Sequence, residues 1–174
     1  MGCVHKLTNI WNCHNLTRDI KIQDFESMVI PVLMYGSECW TMRKEDEQKI
    51  LVAEMCWIRR ILGISRLKHN RNDDIRKRAG MQLTAVDRIK ARRLRWYGHV
   101  SRMDSNIIPF LALHTRRDVV RSRGRPRARW RDGVIEDIRE RGLEFEEATS
   151  LIKDRDGWRK FAQPYRREGA DGRD

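Results

Sequence analysis

Thr84-Ala85-Val86-Asp87-Arg88-Ile89-Lys90-Ala91-Arg92-Arg93-Leu94-Arg95-Trp96-Tyr97-Gly98-His99-Val100-Ser101-Arg102-Met103 is the stretch on which the reading of the whole chain turns. At about 100° per residue around a helix, Val86, Ile89, Trp96, Tyr97, Val100 and Met103 fall within one arc. Arg88, Arg92, Arg95, His99 and Arg102 fall on a narrow adjoining stripe. Thr84 followed three residues later by Asp87 is a capping-box pattern, so the helix starts after Thr84. One element therefore carries a core face and a cationic face. Arg93 breaks the pattern, because it lies inside the apolar arc. It must either meet a buried carboxylate or run its aliphatic stem out along its neighbours to water.

The same periodicity extends in both directions, and no alternating pattern of strand type competes with it. Toward the N-terminus, Asn72 to Ala79 reads as a short helix stopped by Gly80. A longer helix runs from about Arg43 to Leu62, with Glu45, Asp46 and Glu47 in its first turn, Arg59 and Arg60 in its last, and Gly63 beyond. Its core face is expected to be Leu51, Met55, Ile58 and Leu62. Before it, Thr17 is a good N-cap for a helix that carries Ile22, Phe25, Val29, Val32 and Leu33 on one side and stops at Gly36, with Pro31 bending it. Toward the C-terminus, a short helix opens at Pro109. Arg116 to Arg129 is Arg-rich and contains Arg123-Gly124-Arg125-Pro126, where Gly and Pro forbid a continuous helix, so it reads as a loop. Trp130, Val134 and Ile138 recur every four residues in a helix ending at Gly142, and Ala148, Leu151 and Ile152, then Trp158 and Phe161, make a last helical pair. The expected fold is mainly α, an irregular bundle of five to seven helices with an Arg-rich loop and a frayed C-terminal tail.

Any core in this chain is thin. Of 174 residues, 40% are hydrophobic and 36% charged, the first below and the second above the globular average. Six tryptophans at 11, 40, 57, 96, 130 and 158 are spread so that each helical segment can contribute one large apolar anchor, which argues against global disorder. The net charge of +12 is concentrated: Arg88 to Arg131 hold fourteen Lys or Arg against Asp104 and Asp118, while the rest of the chain has 23 basic and 23 acidic residues. Thirteen of those fourteen are Arg. Guanidinium groups suit bidentate phosphate contact and stacking on bases, so the pattern is that of a phosphate-neutralising segment rather than of a merely soluble surface.

Other chemistries find little support. Cys3, Cys13, Cys39 and Cys56 show neither a disulfide framework nor zinc-knuckle spacing with His5 and His14, and read as small apolar fillers and part of an unordered N-terminus. No apolar run is long enough for a bilayer or a signal peptide, so no membrane partner is expected and the chain reads as intracellular. Asn15-Leu16-Thr17 matches a glycosylation acceptor only by chance in such a chain, and Met1-Gly2 lacks the Ser or Thr that a myristoylation start needs, having Lys6 there. Asp73-Asp74 is an adjacent acidic pair, but it stands at a helix start, where Asp favours the dipole. Two-metal phosphoryl transfer needs further converging carboxylates, and this region offers none. No phosphate-binding Gly-Lys loop, zinc-protease helix or nucleophile elbow occurs.

Four ordered blocks carry a family resemblance. Val32-Leu33-Met34-Tyr35-Gly36-Ser37-Glu38-Cys39-Trp40 and Trp57-Ile58-Arg59-Arg60-Ile61-Leu62-Gly63-Ile64 come first. Arg93-Leu94-Arg95-Trp96-Tyr97-Gly98-His99-Val100 with Arg102-Met103 follows, and then Gly124-Arg125-Pro126 leading to Trp130, Asp132, Val134 and Asp137, with a closing Asp154-Arg155 and Trp158-Arg159. Together they resemble the segment that follows the polymerase domain in endonuclease-reverse transcriptases of RTE-like and CR1-like non-LTR retrotransposons. The resemblance spans roughly residues 7 to 161, and ordered blocks are more specific than any single motif. It implies a thumb-like helical region over 1–63 with an unordered N-terminus, a basic helical region over 64–115, the Arg-rich loop over 116–129, C-terminal helices over 130–163 and a disordered tail over 164–174. It also implies that the chain is not catalytic on its own, because the palm's metal-binding Asp pair and the endonuclease lie upstream in such proteins. No cofactor is then expected here, Mg²⁺ belonging to the polymerase domain.

The expected partners are RNA, DNA or their hybrid, together with the rest of a reverse transcriptase, in the nucleus or a cytoplasmic ribonucleoprotein. Contacts are expected to be with the backbone, shape-sensitive rather than sequence-reading. The residues expected to make them are Arg88, Arg92, Arg95, His99 and Arg102 on the stripe and Arg121, Arg123, Arg125, Arg127 and Arg129 in the loop. A solvated face answered by Glu140, Glu144, Glu146 and Glu147 is the plain alternative for the stripe. For Arg123-Gly124-Arg125-Pro126 two readings stay open, an AT-hook-like core entering a narrow minor groove and a Pro-initiated helix entry flanked by solvated Arg. Two other functions compete: a helical protein-interaction module with an incidental basic loop, and the inactive product of a degenerate element.

Overall fold

The computed structural model describes residues 2–115 and 129–165. Most of the expected Arg-rich loop, with Arg121, Arg123, Arg125 and Arg127, and the tail after Tyr165 lie outside the described residues. Every regular element among the described residues is helical, so the chain is mainly α. The described residues divide into two compact units, 2–36 with 44–87 in the first, and 37–43 with 88–115 and 129–165 in the second.

In the first unit, α1 covers Gly2–Asn12, where an unordered N-terminus was expected. Nothing in its first or last turn complements the dipole. Packing holds it instead, because Leu7 and Trp11 are buried, the Trp11 ring meets Phe25 edge-on at 6.2 Å, and its Nε1 donates to Asp24. Helix α2, Arg18–Asp24, starts as expected at Thr17, whose side chain accepts from the Ile20 N–H. It passes into a π-helical turn, Phe25–Val29, and then into α3, Ile30–Leu33. Pro31 has no N–H to give and its ring crowds the carbonyl four residues back, so the widened turn beside it is the form the expected bend takes. The extra residue in that turn also shifts the helical phase. Ile30 and Met34 become the buried positions, Leu33 is half-buried, and Val32, expected in the core, is 65% exposed.

Helix α4, Lys44–Ile61, has its acidic first turn and basic last turn in place. Its buried face is Glu54, Met55, Ile58 and Ile61, rotated from the expected one so that Leu51 and Leu62 are only half-buried. The rotation is explained by Glu54, which is fully buried and accepts from Arg76, itself 1% exposed, at 2.9 Å. Its other oxygen takes the Ala85 N–H at 2.9 Å. Arg76 stands on α5, Asn72–Ala79, which ends on left-handed Gly80 as the sequence indicates. Arg59 closes the connection between α4 and α5 by donating to the Asn70 carbonyl and to Asn72.

Helix α6, Ala85–Ser101, begins in the first unit and continues in the second, the division falling after Asp87. The capping box is formed: the Thr84 N–H and hydroxyl donate to Asp87, and the Asp87 N–H donates back to Thr84 Oγ1. In the second unit come α7, Ile108–His114; α8, Trp130–Glu140; α9, Phe145–Leu151; and α10, Arg155–Phe161. Tyr97 sits at the middle of their core, its ring 6.3 Å from Trp130, 6.3 Å from Phe145 and 6.1 Å from Trp158. Leu94, Val134, Ile138, Ala148 and Ile152 fill the space around it. The segment Ser37–Arg43 joins this unit, where the Glu38 carbonyl accepts the Trp130 indole N–H at 2.7 Å. Trp158 donates its indole N–H to the Leu94 carbonyl at 3.1 Å. Gly98 makes that approach possible, because a Cβ there would lie well inside contact distance of the Trp158 indole.

Two stability results follow from this packing. Ile58→Ala, at a fully buried position, is expected to cost about 2–5 kcal/mol, and Trp57→Ala, at a half-buried ring 6.0 Å from Phe25, less than the full burial of a tryptophan implies. Gly98→Ala adds only one methyl but forces Trp158 off the Leu94 carbonyl, and is expected to cost about 1–3 kcal/mol or more. Denaturant melts followed by circular dichroism measure all three; parental midpoints for Ile58→Ala or Gly98→Ala would contradict the packing described.

Candidate nucleic-acid interface

The cationic stripe depends on what the opposite side of α6 does. Arg93 takes the first of its two options: it is 3% exposed and forms a two-pronged pair with Asp137 of α8, Nε to Oδ2 and Nη2 to Oδ1, both at 2.7 Å. Gly133, one turn before Asp137, leaves room for the guanidinium, whose Nη1 would stand 3.0 Å from a Cβ there. Burial pushes the Asp137 carboxyl above the usual carboxylate range, and the Arg93 guanidinium pulls the other way without cancelling it. Lys90, three residues before Arg93, pairs with Glu140, three residues after Asp137, at 2.6 Å. Two basic side chains of α6 are thus matched by two acids at the same spacing on α8.

The buried face of α6 is wider than one amphipathic arc. Ala91 and Leu94 are fully buried along with Val86, Ile89, Tyr97 and Val100, whereas Trp96 and Met103, expected in the core, are half-buried. The stripe lies beside that face. Arg88 and Arg92 are half-buried, while Arg95, His99 and Arg102 are exposed. Arg95 makes no hydrogen bond or ion pair among the described residues. Arg102 does not point freely outward, for its Nη1 donates to the Ile152 carbonyl at 3.1 Å. Of the acids that might have answered the stripe, Glu140 holds Lys90, and Glu147 accepts the Glu144 N–H at the start of α9.

Of the loop residues, Arg129 is the one described. It is exposed at the start of α8, its N–H donating to Asp132 at 3.0 Å. The exposed Arg131, which sequence reasoning left out, lies with its guanidinium carbon 5.3 Å from the Phe145 ring centre. Both belong to the second unit, as do the stripe residues. Asp73 and Asp74 stand in the first turn of α5, and among the described residues no group of three or more His, Cys, Asp or Glu is placed to hold a metal ion. No helix of the described residues is long and apolar enough to cross a membrane. Chemically, the stripe is a line of basic side chains, four of them arginines, a composition suited to a polyanion.

The chain is 30% identical over 149 residues to a Caenorhabditis elegans protein described as a putative uncharacterized transposon-derived protein, a match covering 81% of this chain and 53% of the relative. That likeness supports a transposon origin. The chain spans about half the length of this relative. No protein-family model matches the sequence, and no solved structure matches it.

The Arg93 pair has a measurable consequence. Asp137→Asn strands a buried guanidinium and is expected to lower stability by about 3–5 kcal/mol. The double replacement Arg93→Met with Asp137→Leu removes both buried charges and is expected to recover most of that loss, since apolar side chains of similar volume carry no desolvation penalty. Urea midpoints of the two variants decide it; a double variant no more stable than Asp137→Asn would mean that the pair contributes more than its desolvation costs.

Proposed function

We propose that this chain is a nucleic-acid-binding part of a retroelement protein, the thumb-like and post-thumb region of a reverse transcriptase of the RTE-like or CR1-like non-LTR kind. It holds template RNA, primer DNA or their hybrid through phosphate contacts and performs no chemistry alone. The observation that carries the reading is the division of α6: its Arg93 and Lys90 are matched by acids of α8, while Arg95 and His99 of the stripe stand exposed. The transposon-derived relative and the ordered sequence blocks support the retroelement part of the proposal. A protein-interaction module remains the rival, favoured by the exposed Val32 and Tyr35 of the first unit, 65% and 85% accessible.

If about five to eight basic side chains of the 88 to 131 region touch phosphates, log K for binding a duplex falls against log salt with a slope of about −4 to −7, at roughly 0.9 per contact. Changing Arg88, Arg92 and Arg95 together to Gln is expected to flatten the slope by about 2–3 with the helical spectrum intact. An unchanged slope would remove the stripe from the interface and favour the rival. Primer-extension assays with Mg²⁺ or Mn²⁺ are expected to show no template-dependent incorporation by the purified chain, and incorporation abolished by Asp73→Asn would overturn the non-catalytic reading.

A further inference from the structure

The basic stripe has an aromatic shoulder. Trp96 lies about 60° around α6 from His99 and the same stretch of helix carries Arg95 beside it. On one side of Trp96 are the buried Arg93 and Val100, one turn either way; on the other are Arg92, Arg95 and His99 of the stripe. The ring is half-buried, so it is held by the core yet presents part of its surface outside. It meets the ring of the exposed His99 at 5.5 Å with a 44° tilt.

Trp96 lacks the indole hydrogen bond by which three of the six tryptophans are anchored. Trp11, Trp130 and Trp158 each donate the indole N–H, to Asp24, the Glu38 carbonyl and the Leu94 carbonyl. Neither the Trp96 nor the His99 side chain makes a hydrogen bond or ion pair among the described residues. A large aromatic ring left partly open, next to an exposed imidazole and a guanidinium with no partner among the described residues, is the composition of a base-stacking platform on an electrostatic track.

We propose that Trp96 and His99, with Arg95 beside them, form a stacking site for an unpaired nucleobase, so that the stripe takes single-stranded nucleic acid, or the unpaired end of a duplex, by its bases as well as its phosphates. The site rests on the nucleic-acid reading above and narrows it to strands with accessible bases. Stacking of this kind tolerates any sequence, because every base has a π face.

Fluorescence anisotropy with the full chain tests this, using a short oligo(dA) strand and an abasic strand of equal length and charge at one low salt concentration. The wild-type chain is expected to bind oligo(dA) more tightly than the abasic strand. Trp96→Ala is expected to weaken oligo(dA) binding by about 5- to 150-fold, the range for losing one base stack, while abasic binding stays unchanged and Trp96→Phe keeps most of the affinity. Equal wild-type affinity for the two strands, or equal weakening of both by Trp96→Ala, overturns the stacking site and leaves the phosphate reading standing. Failure of the wild-type chain to bind either strand overturns both. Should Trp96→Ala not fold, the exposed His99→Ala carries the same comparison: selective weakening of oligo(dA) supports the site, and no selectivity overturns it.

Discussion

A guanidinium inside an apolar core is a constraint on everything around it. Arg93 cannot shed its proton, so its position on the inward side of α6 requires a carboxylate of matching geometry, and Asp137, 44 residues on, supplies it with two 2.7 Å contacts. The demand fixes more than one pair. It sets the face that α8 turns toward α6, it explains why Gly133 stands where a side chain would crowd the guanidinium, and it places Glu140 within reach of Lys90. Once Arg93 faces inward, helical geometry leaves Arg95 and His99 outward, with Arg88 and Arg92 half-buried on the same stripe. The candidate interface is the complement of a buried ion pair.

The first unit obeys the same logic with the charges exchanged. Glu54 is buried on α4 and is answered by Arg76 on α5, while its second oxygen takes the Ala85 N–H, one of the amide donors that a helix leaves open at its first turn. A buried carboxylate at a helix N-terminus gains from the dipole as well as from its hydrogen bonds. Buried pairs of this kind contribute little net stability when compared with well-packed apolar residues, yet removing one partner is costly. An alternative helix phase would place the same charge in the core without an answer, which is costly.

What could be read from the sequence alone follows from whether the deciding interaction is local. The bounds of α5 with its Gly80 stop, the Thr84 and Asp87 capping box, the Trp130, Val134 and Ile138 spacing and the two options open to Arg93 all depend on residues within a turn or two of each other. Helix α1 was not legible, because its ordering comes from Trp11 packing on Phe25. The expected face of α4 took no account of Glu54, although a charge one turn before Ile58 poses the same question as Arg93. Val32 left the core because a π turn before it changed the phase. At the site, the i, i+4, i+7 order of the stripe was legible as spacing. The hold of Ile152 on Arg102 was not, since the two are 50 residues apart.

Counting charges by position along the chain therefore overstates what a ligand meets. Arg88 to Arg131 contain fourteen basic residues, but Arg93 and Lys90 are neutralised by Asp137 and Glu140, which lie outside that stretch and so escape a local tally. Arg102 is committed to a carbonyl, and Arg131 is placed over Phe145. Arginine in this stretch serves at least two ends, closing a core at Arg93 and holding a distant carbonyl at Arg102. The common property is a planar fork that stays charged in each setting, which lysine, more strongly hydrated and readily discharged when buried, does not share. Under the proposed reading, the number of phosphates that the stretch can neutralise is set by the arginines left over when the core has been closed.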